Sequence, residues 1–429
     1  MTATPTGRDI AYRGFRLAVD ARLGTGVGVR PHAGGLELTD PVDRRRHDGG
    51  TYEVGSWTSP PVPAGFAVAE VVPSWTARTP PGCWVEVELR GWHADAPTTG
   101  WYPLARWAEG EEPVRRTSVP GQRDPDARVD TDTLVVGEAT VTGWQVRVTL
   151  LRPVGATTGP VLRTVGAVAS GPARRPAADP TGEPPHGTNG QTDESAPGPN
   201  AGTAAHGPAA GAGVAGARGV ELAGARGVVL AVPRYSQRRH AIGGESRWGG
   251  GGDSWCSPTC MSMVLAFWGA GPPPDRYAWV EPAGPRPVVV HAARHCYDHA
   301  YAGAGNWAFN TAYAGLHGVE AFVTRLRSLA EAEAFVAAGV PLVVSAAFRA
   351  GQVPGLDYDT RGHLMVLVGF TEAGDPVLND PYAPDDASVR RIVDRARFEA
   401  AWQDGSGGAT YVVHPASVPL PAPPAQPNW

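Results

Sequence analysis

The sequence predicts a multidomain chain: an N-terminal all-β sandwich, a disordered linker and a C-terminal α+β domain. Three observations carry this expectation. Residues 8–170 hold short runs of alternating apolar and polar residues separated by Pro/Gly turns, the pattern of an antiparallel sandwich. Residues 171–216 are Gly, Pro, Ala, Thr, Asn and Ser with almost no side chain large enough to pack, so they cannot offset their ordering entropy. Residues 217–415 show helical spacing first and apolar strands later, the order of an α+β domain. A length of 429 residues is also too great for one ordinary core. A proline-rich tail, 416–429, follows.

In the first domain Phe66–Val72, Trp84–Trp92, Thr133–Val136 and Trp144–Leu150 read as strands. Trp84–Trp92 alternates apolar and charged residues almost perfectly, as a half-buried strand should. Half of the fourteen tryptophans fall here: Trp57, Trp75, Trp84, Trp92, Trp101, Trp107 and Trp144. Such residues suit a sugar- or peptide-binding face, but an ordinary sandwich core uses them more often, and the core reading is preferred. Past the linker, Ala215–Leu222 is repeated as Ala223–Leu230. Two copies are too few for a solenoid, so the second copy alone is expected to enter the next domain.

In that domain Asp253–Trp268 reads as a helix entered from four glycines, with Asp253 and Ser254 as N-cap candidates and Pro258 confined to the first turn. Met261, Val264, Leu265 and Trp268 share one face. Pro287–Ala300 and Leu326–Ala338 read as further helices, and Pro341–Ser345, Gly362–Phe370 and Pro376–Pro381 as strands.

Net charge of -5 gives no basic footprint for nucleic acid. No run of about 18 apolar residues exists, so no membrane span is expected. Met1–Ile10 shows no basic stretch followed by an apolar one, so no signal peptide is legible. Four cysteines make no disulfide framework. Lysine is absent and arginine carries all the positive charge, which with the Ala, Gly and Pro content reads as coding bias.

The chemistry is expected at Cys256. A thiol at a helix N-terminus meets unpaired amides and the positive end of the helix dipole, which favour the thiolate. A nucleophile needs a base and a group to orient it. His363 opens an apolar strand, and Asp380 ends the next one, locked by Pro381; if the strands pair, the two are neighbours. Cys256, His363 and Asp380 then form a triad read by roles. Two metal readings compete with the triad. His291, His295 and His299 are four apart and would line one helix face, a spacing that can bind zinc, but only Cys296 is at hand to complete the site. Cys256 and Cys260 are also i, i+4 neighbours, but a metal clip would quench the nucleophile; Cys260 is expected behind the helix. Neither a metal nor a cofactor is assigned.

Four motifs in order, Pro233-Arg234-Tyr235-Ser236-Gln237, Trp255-Cys256-Ser257-Pro258-Thr259, Gly362-His363-Leu364-Met365-Val366 and Asn379-Asp380-Pro381, resemble the papain-like cysteine peptidases of peptidase family C-39, best known for cutting leader peptides after a double glycine. The resemblance spans about Val232 to Pro415. It implies a papain-like domain with Cys256 as nucleophile, His363 as general base, Asp380 as its orienter, and Gln237 with the Cys256 amide as oxyanion hole. No ABC-transporter segment or ATP-binding motif accompanies it, so double-glycine specificity is not carried over. The stretch Gly303–Asn310 looks like the lid-like insert of stand-alone members, which are often exported, and the N-terminal sandwich looks like their partner domain. The expected partner is a peptide or protein substrate, with a glycan or cell-wall ligand conceivable for the tryptophan-rich domain. The alternatives are a non-catalytic glycan- or peptide-binding protein with a vestigial papain-like domain, or a thiol acyltransferase.

Overall fold

The computed structural model describes residues 7–173, 225–240, 247–281 and 284–429. The expected linker lies outside them beyond Ala173, as does the first repeat copy. The second copy enters the fold as expected: Ala225 is buried, and Arg226 and Val229 bridge to Phe370 and Gly369.

The first domain is a sandwich of two antiparallel sheets. In one, Glu70–Arg78 pairs with Val161–Ser170, which pairs with Ile10–Arg16. In the other, Trp84–His93 lies between Gly143–Pro153 and Tyr102–Trp107. Val85, Val87 and Leu89 point into the core, as the alternation requires. The opposite face is not the solvated one that alternation suggests. Glu86 and Glu88 are only 5% and 7% exposed, because arginines from other strands of the sheet lie over them: Arg45 and Arg106 reach Glu86 at 2.7 and 3.0 Å, and Arg147 reaches Glu88 at 2.6 Å. Trp57, Trp75, Trp84, Trp107 and Trp144 are buried, so five of the seven tryptophans are core. The strand expected at Phe66–Val72 begins only at Glu70, after a bend at Gly65 and Phe66, where Gly65 has φ 85°.

The second domain places helices ahead of a six-stranded antiparallel sheet, ordered Glu320–Arg325, Ala409–His414, Leu342–Phe348, Thr360–Phe370, Pro376–Asn379 and Arg390–Ile392. The helix Cys256–Phe267 packs on the strand Thr360–Phe370. Every residue from Ser257 to Leu265 is buried, so the one-faced pattern expected of this helix is absent; it is a central helix, covered all round. The helix expected at Pro287–Ala300 ends at Cys296. The Asp298 carboxylate accepts from the amides of Ala300 and Tyr301, a side-chain turn that competes with helix continuation. The helix expected from Leu326 starts at Leu329.

The helix Trp307–Gly315 corrects another expectation. Its stretch is no lid; every residue of this helix is buried, wedged between the two domains. Asp132 of the sandwich accepts from Trp307 N at 2.8 Å, and the Asn306 side chain accepts from Phe309 N at 3.1 Å, so two side chains cap the helix. Phe309 meets the rings of Trp75 and Trp107 at 6.1 and 5.4 Å. Gly315 passes so close to the sandwich that a Cβ there would sit 2.5 Å from the Thr76 side chain. Around this wedge run polar ties between the domains: Asp298 to Ser118 N at 2.9 Å, Arg116 to Arg294 O at 2.8 Å, and Arg325 to Glu70 at 2.7 Å. All the cations of this seam are arginines. The proline-rich tail also joins it. Pro427 O accepts from Tyr12 N, the buried Asn428 side chain donates to Arg325 O, and Arg327 donates to both Ile10 O and Gln426 O. One hydrophobic cluster runs from Trp75 and Val87 through Phe309 to Met261 and Val366.

Because the cluster is continuous, truncating its wedge should weaken both domains at once. Phe309→Ala is expected to lower unfolding stability by about 3–5 kcal/mol, the range for deleting a buried ring. Denaturant unfolding followed by tryptophan fluorescence and far-UV dichroism should show coincident transitions shifted together; a first domain that keeps its wild-type midpoint would refute the shared cluster.

Candidate active site

Cys256 is the first residue of its helix, and Pro258 falls in the first turn as expected. The N-cap is Trp255, which offers no capping side chain. Neither expected cap is used: Asp253 pairs with Arg238 at 3.5 Å, and the Ser254 hydroxyl donates to Gly249 O. The approach turns through Gly249, Gly250 and Gly251 with φ of 86°, 103° and 64°, a run of left-handed residues that needs glycine. Thus the N-cap side chain takes none of the amides at the helix mouth, and the amides of Ser257 and Leu364 act on the Cys256 sulfur. Cys256 is partly exposed, whereas Cys83, Cys260 and Cys296 are buried. Cys260 sits behind the helix, its thiol directed at Leu364 O.

His363 stands on the strand Thr360–Phe370 and Asp380 directly follows the strand Pro376–Asn379. The two strands pair with Val366 opposite Asn379 and Leu367 opposite Leu378, which sets His363 and Asp380 on one face as diagonal neighbours. His363 Nε2 is 2.8 Å from Asp380 Oδ1, and both side chains are buried. The other ring nitrogen is left for the Cys256 thiol, on which the imidazole acts to favour the thiolate. Tyr382 N donates to Asp380 Oδ1 at 2.9 Å and fixes the carboxylate.

The charges follow from this contact chain. Burial alone would raise the thiol, but the His363 hydrogen bond and charge outweigh it, and the Cys256 pKa lies below the ordinary thiol value. Burial would lower His363, yet the hydrogen bonds to Asp380 and Cys256 lift it to about 10. Asp380 is held below the usual carboxylate range, its burial overcome by His363. The arrangement favours thiolate, imidazolium and carboxylate. The other thiols move the opposite way, Cys83 to about 11 and Cys260 well above the ordinary value, both through burial.

Gln237 opens a short 3-10 turn and is 1% exposed. Its N–H donates to Pro381 O at 2.8 Å, one residue past Asp380. Ser236 before it is pinned to the same loop, its N–H to Asp386 and its hydroxyl to Ala383 O. Neither atom of the Gln237 side-chain amide has a partner among the described residues.

Sequence reasoning missed the walls of the site. The rings of Tyr358 and Tyr382 stand 5.6 and 6.1 Å from the His363 ring, both near perpendicular to it. The Tyr358 hydroxyl is buried short of hydrogen-bonding geometry to any described group, yet it faces Asp380 and adds to the stabilisation of its charge. A cleft of about 330 Å³ opens beside them, lined also by Arg238, Asp357 and Arg391. Tyr382 was available as a signal, two residues past Asp380; Tyr358 sits in a polar loop with none. The histidine trio is not at the site and does not share one helix face. His291 and His295 stack at 3.9 Å, while His299 lies beyond the helix end, its N–H bonded to Arg116 O. Among the described residues no group of three or more His, Cys, Asp or Glu is placed to hold a metal ion, and no helix is long and apolar enough to cross a membrane.

No curated protein matches the chain. The solved structure of TmCBM61 in complex with beta-1,4-galactotriose matches at 11% identity over 37% of this chain and 83% of its own, with a TM-score of 0.14. Residues 11–170 match the family model described as Peptidase C39 N-terminal domain, and residues 229–410 match the Peptidase C39-like family. With both parts matched in this order, the chain belongs to the Peptidase C39-like family of papain-like cysteine peptidases and carries the Peptidase C39 N-terminal domain ahead of its peptidase domain.

Proposed function

We propose that the chain is a cysteine peptidase in which Cys256 is the nucleophile, His363 the general acid and base, and Asp380 the group that orients it. The observation that carries this reading is the 2.8 Å contact between His363 Nε2 and Asp380 on an imidazole that also holds the only partly exposed thiol among the described cysteines. The thiolate attacks the scissile carbonyl carbon, and the carbonyl π electrons move to oxygen. The Gln237 side-chain amide and the Cys256 N–H are the proposed donors to that oxyanion. The imidazolium gives its proton to the leaving nitrogen as the C–N bond breaks, leaving an acyl thioester. The now neutral imidazole takes a proton from water, the resulting hydroxide attacks the thioester, and the C–S bond breaks to release the acid and the thiolate.

Two other readings have less support. A thiol acyltransferase would use the same acyl thioester with an amine in place of water. A non-catalytic glycan or peptide binder would use the half-buried Trp92 and Trp101. Yet Arg90 and Arg147 each lie 4.4 Å from the Trp101 ring, and Arg90 lies 5.3 Å from Trp92, on the faces a sugar would stack against. Mass spectrometry of products formed with and without added glycine ethyl ester separates hydrolysis from transfer.

Iodoacetamide should label Cys256 faster than Cys83, Cys260 or Cys296, and His363→Ala should slow that labelling as the thiolate loses its imidazolium partner. Uniform slow labelling of all four would remove the nucleophile assignment. The pH dependence has a definite sign. The thiolate–imidazolium pair forms as pH rises through the lowered Cys256 pKa and is lost as pH rises through about 10, where His363 gives up its proton. Turnover should therefore rise on an acid limb below the ordinary thiol value and fall on a basic limb near 10. A basic limb near 7 would contradict the pairing with Asp380.

Gln237→Ala should reduce turnover by about a hundredfold to a thousandfold, the range for one lost oxyanion donor, with little change in substrate affinity. Turnover within about twofold of wild type would withdraw the oxyanion role even with Cys256 catalytic.

A further inference from the structure

We propose that the cleft beside the triad is a carboxylate-binding subsite for the leaving-group side of the substrate, with Arg391 as its principal ligand. The inference rests on the triad reading above.

Direction comes first. The imidazolium must deliver its proton to the leaving nitrogen, so the leaving segment has to cross the imidazole's side of the site rather than the oxyanion side. On that side stand Tyr358 and Tyr382, their rings 4.7 Å apart. Both rings line the cleft of about 330 Å³, together with Asp380, Arg238 and Arg391. That volume lies at the lower end for ligand sites and suits one side chain or a chain terminus.

Charge comes second. Arg391 Nε is buried and donates to nothing among the described residues. A guanidinium presents its donors in a planar fork that a carboxylate matches with two parallel bonds. Arg238 lies on the same cleft, held over the Tyr382 ring at 4.7 Å. Its ion pair with Asp253 is 3.5 Å long between largely exposed groups, so much of its charge stays available. Two carboxylates also line the cleft, Asp357 and Asp380. Asp380 is already compensated by His363. Arg391 and Arg238 then stand beside Asp357 as the cationic donors on the cleft wall. A neutral amide oxygen can accept one N–H but leaves the guanidinium charge unanswered, so a carboxylate is preferred.

The carboxylate can come from an acidic side chain or from the substrate's own C-terminus. Two peptide pairs separate them: N-acetyl-Ala-Ala-Glu-Ala-amide against its Gln twin, and N-acetyl-tetra-alanine as free acid against its amide. Each is titrated calorimetrically into the full-length Cys256→Ala chain. At least one carboxylate peptide should bind about tenfold or more tightly than its neutral twin, in keeping with a bidentate charged contact. The preference should disappear in the Cys256→Ala, Arg391→Met double variant. Twins that bind within about twofold of each other, no measurable binding by any of the four, or a preference that survives Arg391→Met would overturn the subsite. Iodoacetamide labelling of wild type keeps this apart from the triad: fast labelling of Cys256 with no carboxylate preference sinks the subsite alone, and slow labelling with the preference intact sinks the triad alone.

Discussion

One buried carboxylate, Asp298, holds the geometry around which the two domains close. Oδ1 accepts from Ser118 N of the sandwich and from Ala300 N and Tyr301 N of its own loop, and Oδ2 accepts from the Asn306 side chain at 2.9 Å. The first contact fixes the sandwich edge to the peptidase domain. The loop contacts stop the preceding helix and turn the chain toward Gly303. The last aims Asn306, which caps the wedge helix. A group with four donors around it is fully satisfied, and the low dielectric of its surroundings strengthens each bond while making the loss of any of them costly. The N-terminal domain is therefore not a module on a tether; its surface completes the core of the peptidase half.

The site depends on a different compensation. Cys256, His363 and Asp380 lie in a mostly buried row, and a thiolate, an imidazolium or a carboxylate there would alone be expensive to desolvate. Alternation of sign lets the central cation serve both anions, which is why His363 rises although burial pushes it down. The helix mouth contributes amides that no side-chain cap consumes. The absence of a capping oxygen at Trp255 is thus part of the electrostatics, since an Asp or Ser cap would compete for the same N–H groups.

What was legible in the sequence was local. Cys256 at a helix start, His363 on an apolar strand and Asp380 before a proline are each set by neighbours within a few residues, and pairing of two consecutive strands was enough to bring the last two together. The strands of the sandwich were legible for the same reason, by period. What escaped depends on contacts far apart in the chain. Glu86 and Glu88 read as solvated because nothing in their strand announces arginines from Arg45, Arg106 and Arg147. The wedge helix read as a lid because its burial comes from Trp75 and Trp107. The helix holding His291 and His295 read too long because the turn that ends it is made by the Asp298 side chain, whose partners include another domain. Tyr358 reaches His363 from the loop just ahead of the strand Thr360–Phe370, whose fold no local pattern announces.

The all-guanidinium character of the seam reaches beyond packing. With no lysine anywhere in the sequence, the fold offers no side-chain amine to an activated acyl group. The permanently cationic side chains near a thioester on Cys256 would be arginines, which stay protonated and are poor nucleophiles. Self-acylation, the usual hazard of a long-lived thioester in a crowded protein surface, has no lysine acceptor here. The same composition hides the chain from amine-directed cross-linkers and from isopeptide tagging on its side chains.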